Sequence, residues 1–94
     1  MRFSLSALPP GFRVVSSSVT PVEHWLLSDG LAAMSVYVEP RSQGVKPGEG
    51  VVVRGATLTY TKGTLEQALV TVVGEVPVTT ARLVAEAVRS REEL

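Results

Sequence analysis

Two runs of alternating apolar and polar residues give the clearest structural signal in the sequence. Val22 to Leu27 and Ala32 to Val38 are both strand-like, and Ser28-Asp29-Gly30-Leu31 lies between them. An Asp-Gly pair between apolar runs is typical of a two-residue hairpin turn, in which both central residues have positive φ. If Ser28 pairs with Leu31, Trp25 lies opposite Met34 in the predicted register.

This hairpin has one apolar face and one mixed face. We assign the apolar face to the core, and it carries Trp25, Leu27, Met34, Val36 and Val38. The mixed face is either solvated or an interaction surface, and it carries Val22, His24, Leu26, Ser35 and Tyr37. From the mixed face we take four candidate partner-binding residues, namely His24, Leu26, Ser35 and Tyr37.

Strands and one helix account for the other patterned segments. Residues 11–20 predict a strand that ends before Pro21, because the residue before a proline avoids helical geometry. Residues 51–61 predict another strand, in which Gly55 marks a bulge or a close backbone approach. Residues 67–73 are almost continuously apolar, which favours a central strand covered on both faces.

The C-terminal pattern has helical spacing. The helix begins near Pro77, which suits a first helical turn, or it is capped by Thr79. Its predicted core side carries Ala81, Val84, Ala87 and Val88. Arg89 and Arg91 are expected at the helix C-terminus, where the helix dipole favours cations. The expected class is therefore α+β, with an antiparallel sheet of about five strands and one C-terminal helix packed on it.

Composition limits the chain to one domain, residues 1–94. With 94 residues, 45% of them hydrophobic and 19% charged, it can form a single core. Residues 8–89 form the predicted folded part, and the glycine-rich segment 41–50 is expected to be a flexible loop. The first eight residues lack the apolar stretch of a signal peptide, so the chain is either cytoplasmic or a piece of a longer exported protein.

The charge balance and residue types argue against several functions. Nine basic and nine acidic residues cancel, which disfavours nucleic-acid binding, and no apolar run is long enough to span a bilayer. His24 is the single histidine, there is no cysteine, and Gly44 to Gly50 lacks the spacing of a phosphate-binding loop. We therefore expect no catalytic residues, no metal and no cofactor, and a binding or structural module rather than an enzyme.

An ordered set of short motifs resembles the C-terminal domain of the MucB/RseB family. These motifs are Leu8-Pro9-Pro10-Gly11-Phe12, Ser28-Asp29-Gly30-Leu31, Ser35-Val36-Tyr37-Val38-Glu39-Pro40, Gly55-Ala56-Thr57, and Val70-Thr71-Val72-Val73-Gly74-Glu75-Val76-Pro77 ahead of a helix. The resemblance extends from Leu8 to about Arg89. Each motif alone is only a turn or a strand end, and the specificity comes from their order.

The resemblance implies a function in envelope-stress signalling. Members of this family are periplasmic negative regulators of sigma-E that bind the periplasmic segment of an RseA/MucA-type anti-sigma factor and protect it from proteolysis. A lipid signal would act through a carrier-like N-terminal domain, which is absent from this sequence. The alternative is a structural or lipid-handling accessory domain of an envelope lipoprotein-trafficking protein. The resemblance assigns no contact residue.

Overall fold

The computed structural model describes residues 3–40, 48–63 and 68–90. These ranges contain one helix and eight strands: β1 (Phe3–Leu5), β2 (Arg13–Ser18), β3 (Glu23–Ser28), β4 (Ala33–Pro40), β5 (Gly48–Arg54), β6 (Thr57–Gly63), β7 (Ala68–Gly74), α1 (Val78–Glu86) and β8 (Val88–Ser90). The predicted combination of an antiparallel sheet with one helix is confirmed. The predicted number of about five strands is too low.

Six strands form one antiparallel sheet in the order β2-β3-β4-β7-β6-β5, and β1 pairs with β8 in a second, two-stranded sheet. β7 lies between β4 and β6, as its apolar sequence predicts. Only one of its faces is fully buried, however, because Leu69, Thr71 and Val73 are half-buried on the other face. The helix α1 packs against β6 and β7 on the buried face, and Phe3 of β1 and Val88 of β8 also belong to the core cluster.

The core lies between α1 and the face of the sheet that carries Trp25. Trp25 is 4% exposed, and Val84 of the helix is completely buried. The five residues assigned to the core side of the first hairpin are all buried, namely Trp25, Leu27, Met34, Val36 and Val38. The predicted assignment of the hairpin faces is therefore confirmed.

The predicted register of that hairpin is wrong by two residues. Trp25 lies opposite Val36 rather than Met34, and the last pair before the turn is Ser28 with Ala33. The loop is longer because side chains compete with the two-residue turn: the Asp29 carboxylate Oδ1 accepts hydrogen bonds from the backbone N–H groups of Leu31 (2.9 Å) and Ala32 (2.8 Å). Because side chains alternate with a period of two, a two-residue shift leaves every residue on its predicted face.

The predicted single strand over residues 51–61 is a hairpin. β5 and β6 pair from Gly48 with Gly63 to Arg54 with Thr57, so Gly55 and Ala56 form the turn. Gly55 has a φ of +59°, which a glycine adopts without the steric cost that other residues meet. Residues 48–50 of the predicted flexible loop belong to β5, and the rest of that loop, 41–47, lies outside the described residues.

The helix is shorter than its apolar spacing predicts. It starts after Pro77 with no side-chain cap, and it ends at Glu86. Val88–Ser90 instead pairs antiparallel with Phe3–Leu5 as β8. Arg89 is thus in a strand, where its guanidinium donates to the carbonyls of Glu86 and Val88, and Arg91 lies outside the described residues.

Candidate functional site

The four candidate residues lie side by side on the face of the six-stranded sheet opposite α1, which we call the open face. In the β3–β4 ladder His24 lies opposite Tyr37, and Leu26 lies opposite Ser35. Directly paired residues have their Cβ atoms about 4.5–5.5 Å apart, so these two pairs form one continuous patch. The structure thus brings together all four residues selected from the sequence, and we call them the open-face patch.

An aromatic stack forms the centre of the open-face patch. The rings of His24 and Tyr37 are parallel within 13°, with their centroids 4.5 Å apart. Tyr37 is 37% exposed, whereas His24 is half-buried. Each ring restricts the other, so the pair presents a flat surface at little further cost in side-chain entropy when a partner binds.

One polar atom of this stack has no hydrogen-bond partner. The Nε2 atom of His24 is shielded from solvent and makes no hydrogen bond within the described residues. A buried polar atom without a partner is unfavourable by roughly 1–3 kcal/mol. Because this atom is shielded, a partner that docks on the open face would contact the exposed part of the aromatic stack rather than Nε2.

The open face continues from the patch across the remaining strands. Ser35 lies opposite Val73 of β7, Val73 opposite Thr59 of β6, and Thr59 opposite Val52 of β5. In the described strands the charged residues on this face lie close to strand ends, namely Arg13, Glu39 and Arg54. The middle of the open face is therefore an uncharged surface of hydroxyl, β-branched and aromatic side chains, which resembles the centre of protein–protein interfaces.

A polar cluster that the sequence pattern did not reveal lies on the helix side of the sheet. The Arg82 guanidinium of α1 donates from Nε (3.1 Å) and Nη2 (2.9 Å) to the two carboxylate oxygens of Glu49, and the Tyr60 hydroxyl donates to the same carboxylate. These hydrogen bonds lower the pKa of Glu49 to about 2, with the bond from Arg82 the largest cause. Burial, followed by the hydrogen bond to Glu49, raises the pKa of Tyr60 to about 12.

This cluster joins the edge strand β5 to the helix. Glu49 and Arg82 are 33 residues apart, and neither stands in a motif, so only the folded structure reveals their pairing. A second ion pair, Lys62 with Glu86 at 3.9 Å, supports the same junction between sheet and helix. Since the Arg82 and Tyr60 side chains both bond to the Glu49 carboxylate, we interpret this cluster as a structural clamp.

No arrangement for catalysis or metal binding is seen in the described residues. His24 stacks on Tyr37, and the Asp29 carboxylate is bonded to the backbone of its own turn, which lowers its pKa. Across residues 3–40, 48–63 and 68–90 there is no group of three His, Asp or Glu side chains that could hold a metal ion. Nor does the described part of the chain contain a helix long and apolar enough to cross a membrane.

The family model and the curated relative that match this chain point to the same family. The family model for the MucB/RseB C-terminal domain matches residues 1–89. The sigma factor AlgU regulatory protein MucB of Pseudomonas aeruginosa is 37% identical over an alignment of 92 residues, and the match covers 87% of this chain. The chain spans only 29% of the length of that relative.

Solved structures of MucB share this fold. A structure of the Pseudomonas aeruginosa MucA/MucB complex matches 96% of this chain and 35% of the matched chain, with 37% identity and a TM-score of 0.79. A crystal structure of MucB in complex with MucA(peri) matches 96% of this chain and 37% of the matched chain, with the same identity and TM-score. A crystal structure of MucB matches 96% of this chain and 33% of the matched chain, with 36% identity and a TM-score of 0.66.

Proposed function

Because the chain belongs to the MucB/RseB C-terminal domain family, we propose that it binds the periplasmic segment of an RseA/MucA-type anti-sigma factor. The observation that carries this proposal is the match over 96% of the chain to MucB in two complexes with MucA. Both complexes have a TM-score of 0.79, against 0.66 for the crystal structure of MucB. This domain thus shares its fold with MucB in both complexes and in the crystal structure of MucB.

Binding of this segment would make the protein a negative regulator of the sigma-E envelope-stress response, acting in the periplasm. An anti-sigma segment held against the domain is less accessible to a protease, because cleavage requires an extended, exposed backbone. The anti-sigma factor then survives and continues to restrain its sigma factor. This role involves binding alone and includes no catalytic step.

The contact surface in this proposal is the open-face patch. Its stacked His24 and Tyr37 rings supply a rigid aromatic surface. The interior of the open face carries no charge, so electrostatic steering contributes little to association. We expect the affinity to change only weakly when the salt concentration is raised.

A titration with a matched pair of variants tests this proposal. A fluorescently labelled periplasmic anti-sigma segment is titrated with the wild-type chain, with Tyr37→Ala and with Leu83→Ala. Leu83 is the control because it is 46% exposed on the helix side of the sheet. We expect Tyr37→Ala to weaken binding about tenfold or more, as for an aromatic residue at the centre of an interface, and Leu83→Ala to bind as wild type does.

The same titration distinguishes the alternative function. If Tyr37→Ala binds as tightly as wild type, the open-face patch is not the contact surface. If the wild-type chain does not bind the segment even at about 1 mM, the affinity is too weak for an anti-sigma contact. The domain would then be a structural or lipid-handling accessory element rather than the binding module.

A further inference from the structure

His24 is the one residue of the open-face patch whose side chain can change its charge near neutral pH. Histidine is the only side chain that ordinarily takes up a proton between about pH 8 and about pH 5. The sequence contains no second histidine and no cysteine. Proton uptake by a side chain of this domain in that interval is therefore expected at His24.

The folded position of His24 suits the neutral imidazole ring better than the charged one. A protonated imidazole carries an N–H group on both ring nitrogens, and both act as hydrogen-bond donors. The Nε2 atom is shielded from solvent and has no hydrogen-bond partner within the described residues. An N–H group at Nε2 would therefore be buried, unpaired and part of a positive charge, which is strongly unfavourable. The neutral ring avoids this when its proton is on Nδ1.

The charged and titratable groups around His24 do not supply the missing hydrogen bond. β4 places Tyr37 directly opposite, and Glu39 follows two residues later on the same face, where Cβ atoms are about 7–8 Å apart. Arg13, the one charged residue of β2, lies at the far end of that strand, and Glu23 points to the opposite face of the sheet. The face of the Tyr37 ring and the distant Glu39 carboxylate attract a cation. Neither accepts a hydrogen bond from Nε2, which lies in the plane of a ring parallel to Tyr37.

We propose that protonation of His24 releases its ring from Tyr37, so that the open-face patch binds its partner at neutral pH and releases it in acid. This inference rests on the proposed function, because the partner is the anti-sigma segment. The charged ring regains hydrogen bonds to water when it turns out of the stack. A partner that docks on the stacked rings binds the neutral form, so its affinity falls as the proton is taken up. Acidification would then expose the anti-sigma segment to proteolysis.

Proton nuclear magnetic resonance of the free chain tests the opening of the stack without any partner. The ring signals of His24 can be followed from pH 8 to pH 5 without ambiguity, because the chain has a single histidine. Nuclear Overhauser contacts between the two rings should be present at pH 8, when their centroids are 4.5 Å apart. They should disappear as the His24 signals move to their protonated positions. If the contacts persist in the protonated state, the charged ring stays in the stack and the inference is overturned.

Titration of the labelled anti-sigma segment at pH 7.5 and at pH 5.0 tests the effect on binding. Any histidine of the segment itself is replaced by glutamine, so that His24 is the only histidine in the mixture. We expect wild type to bind about tenfold more weakly at pH 5.0. His24→Phe keeps a ring opposite Tyr37 but cannot be protonated, so its affinity should be equal at the two pH values. Glu39→Gln is the matched control, and it should keep the pH dependence of wild type.

Three binding results would overturn the inference. Wild type could bind equally well at both pH values, it could bind more tightly at pH 5.0, or His24→Phe could show the same fall in affinity as wild type. If wild type binds at neither pH value, the proposed function fails. The ring contacts in the free chain then still decide whether protonation of His24 opens the stack.

Discussion

Gly74, the last residue of β7, lies where two strands approach so closely that a methyl group has no space. A Cβ atom there would lie 2.6 Å from the Ala33 carbonyl oxygen, 2.8 Å from Met34 Cβ and 2.9 Å from Met34 Cα. Ordinary contacts between such atoms are about 3.5 Å or longer. All three atoms belong to the β4 backbone or are fixed by it, so no side-chain rotation relieves the clash.

Gly74→Ala should therefore destabilise the fold by about 1–3 kcal/mol, the usual cost of overpacking a well-packed site. That is a substantial part of the free energy of unfolding of a small domain, which is typically about 5–15 kcal/mol. Gly50→Ala is the matched control on another strand of the same sheet. Its Cβ would lie 3.1 Å from the Thr61 hydroxyl oxygen, which can rotate away, and alanine also restricts the unfolded chain by about 0.4–1 kcal/mol in favour of folding.

Urea denaturation followed by circular dichroism measures both variants against wild type. We expect Gly74→Ala to lower the midpoint with an unchanged slope, and Gly50→Ala to leave the midpoint unchanged or raise it. If Gly74→Ala is as stable as wild type, β4 and β7 do not approach each other this closely at Gly74. If Gly50→Ala lowers the midpoint more than Gly74→Ala does, the cost at these two sites is not set by whether the neighbouring atoms can move away.

In the same assay Trp25→Ala should lower the free energy of unfolding by about 3–5 kcal/mol, because Trp25 is 4% exposed. Its control, Leu31→Ala, should change that free energy by less than about 0.5 kcal/mol, because Leu31 is 99% exposed. Equal effects would contradict the assignment of Trp25 to the core. Acid unfolding should depend on Glu49, whose pKa is lowered from 4.5 to about 2 in the folded protein. The folded state therefore gains stability from this carboxylate above about pH 4.5 and loses it as the pH falls toward 2, so Glu49→Gln should lose less stability over that interval than wild type. A thermal unfolding series from pH 6 to about pH 2 measures the difference, and parallel profiles would show that the clamp adds nothing.

The sequence predicted the faces of the first hairpin better than its turn. Asp29-Gly30 indicated a two-residue turn, but the Asp29 side chain bonds to two backbone N–H groups and extends the loop to four residues, Asp29 to Ala32. The prediction that Trp25 lies in the core is still correct, because the register of β3 and β4 is shifted by an even number of residues. The grouping of His24 with Tyr37 survived for the same reason, although their stacking is a matter of ring orientation that no sequence pattern encodes.

The missed strands are those with the weakest local signal. Val88 has the spacing of a helical core residue, and its pairing with Leu5 joins positions more than 80 residues apart. Three-residue strands such as β1 and β8 are too short to show alternation. Gly55 within a run of valines and threonines indicates a bulge as well as a turn, and only the β5–β6 ladder distinguishes them. The Glu49–Arg82 clamp depends on that hairpin, so it could not be predicted once the hairpin was missed.

Nuclear magnetic resonance can show directly which surface of the domain binds an anti-sigma segment. The backbone amides of the isotopically labelled chain are recorded while the unlabelled periplasmic segment of an anti-sigma factor is added. Binding at the open face should give saturable shifts concentrated at His24, Leu26, Ser35 and Tyr37 and along their strands β3 and β4, with α1 unaffected. Shifts confined to α1, or no shifts at saturating segment, would contradict binding at the open face.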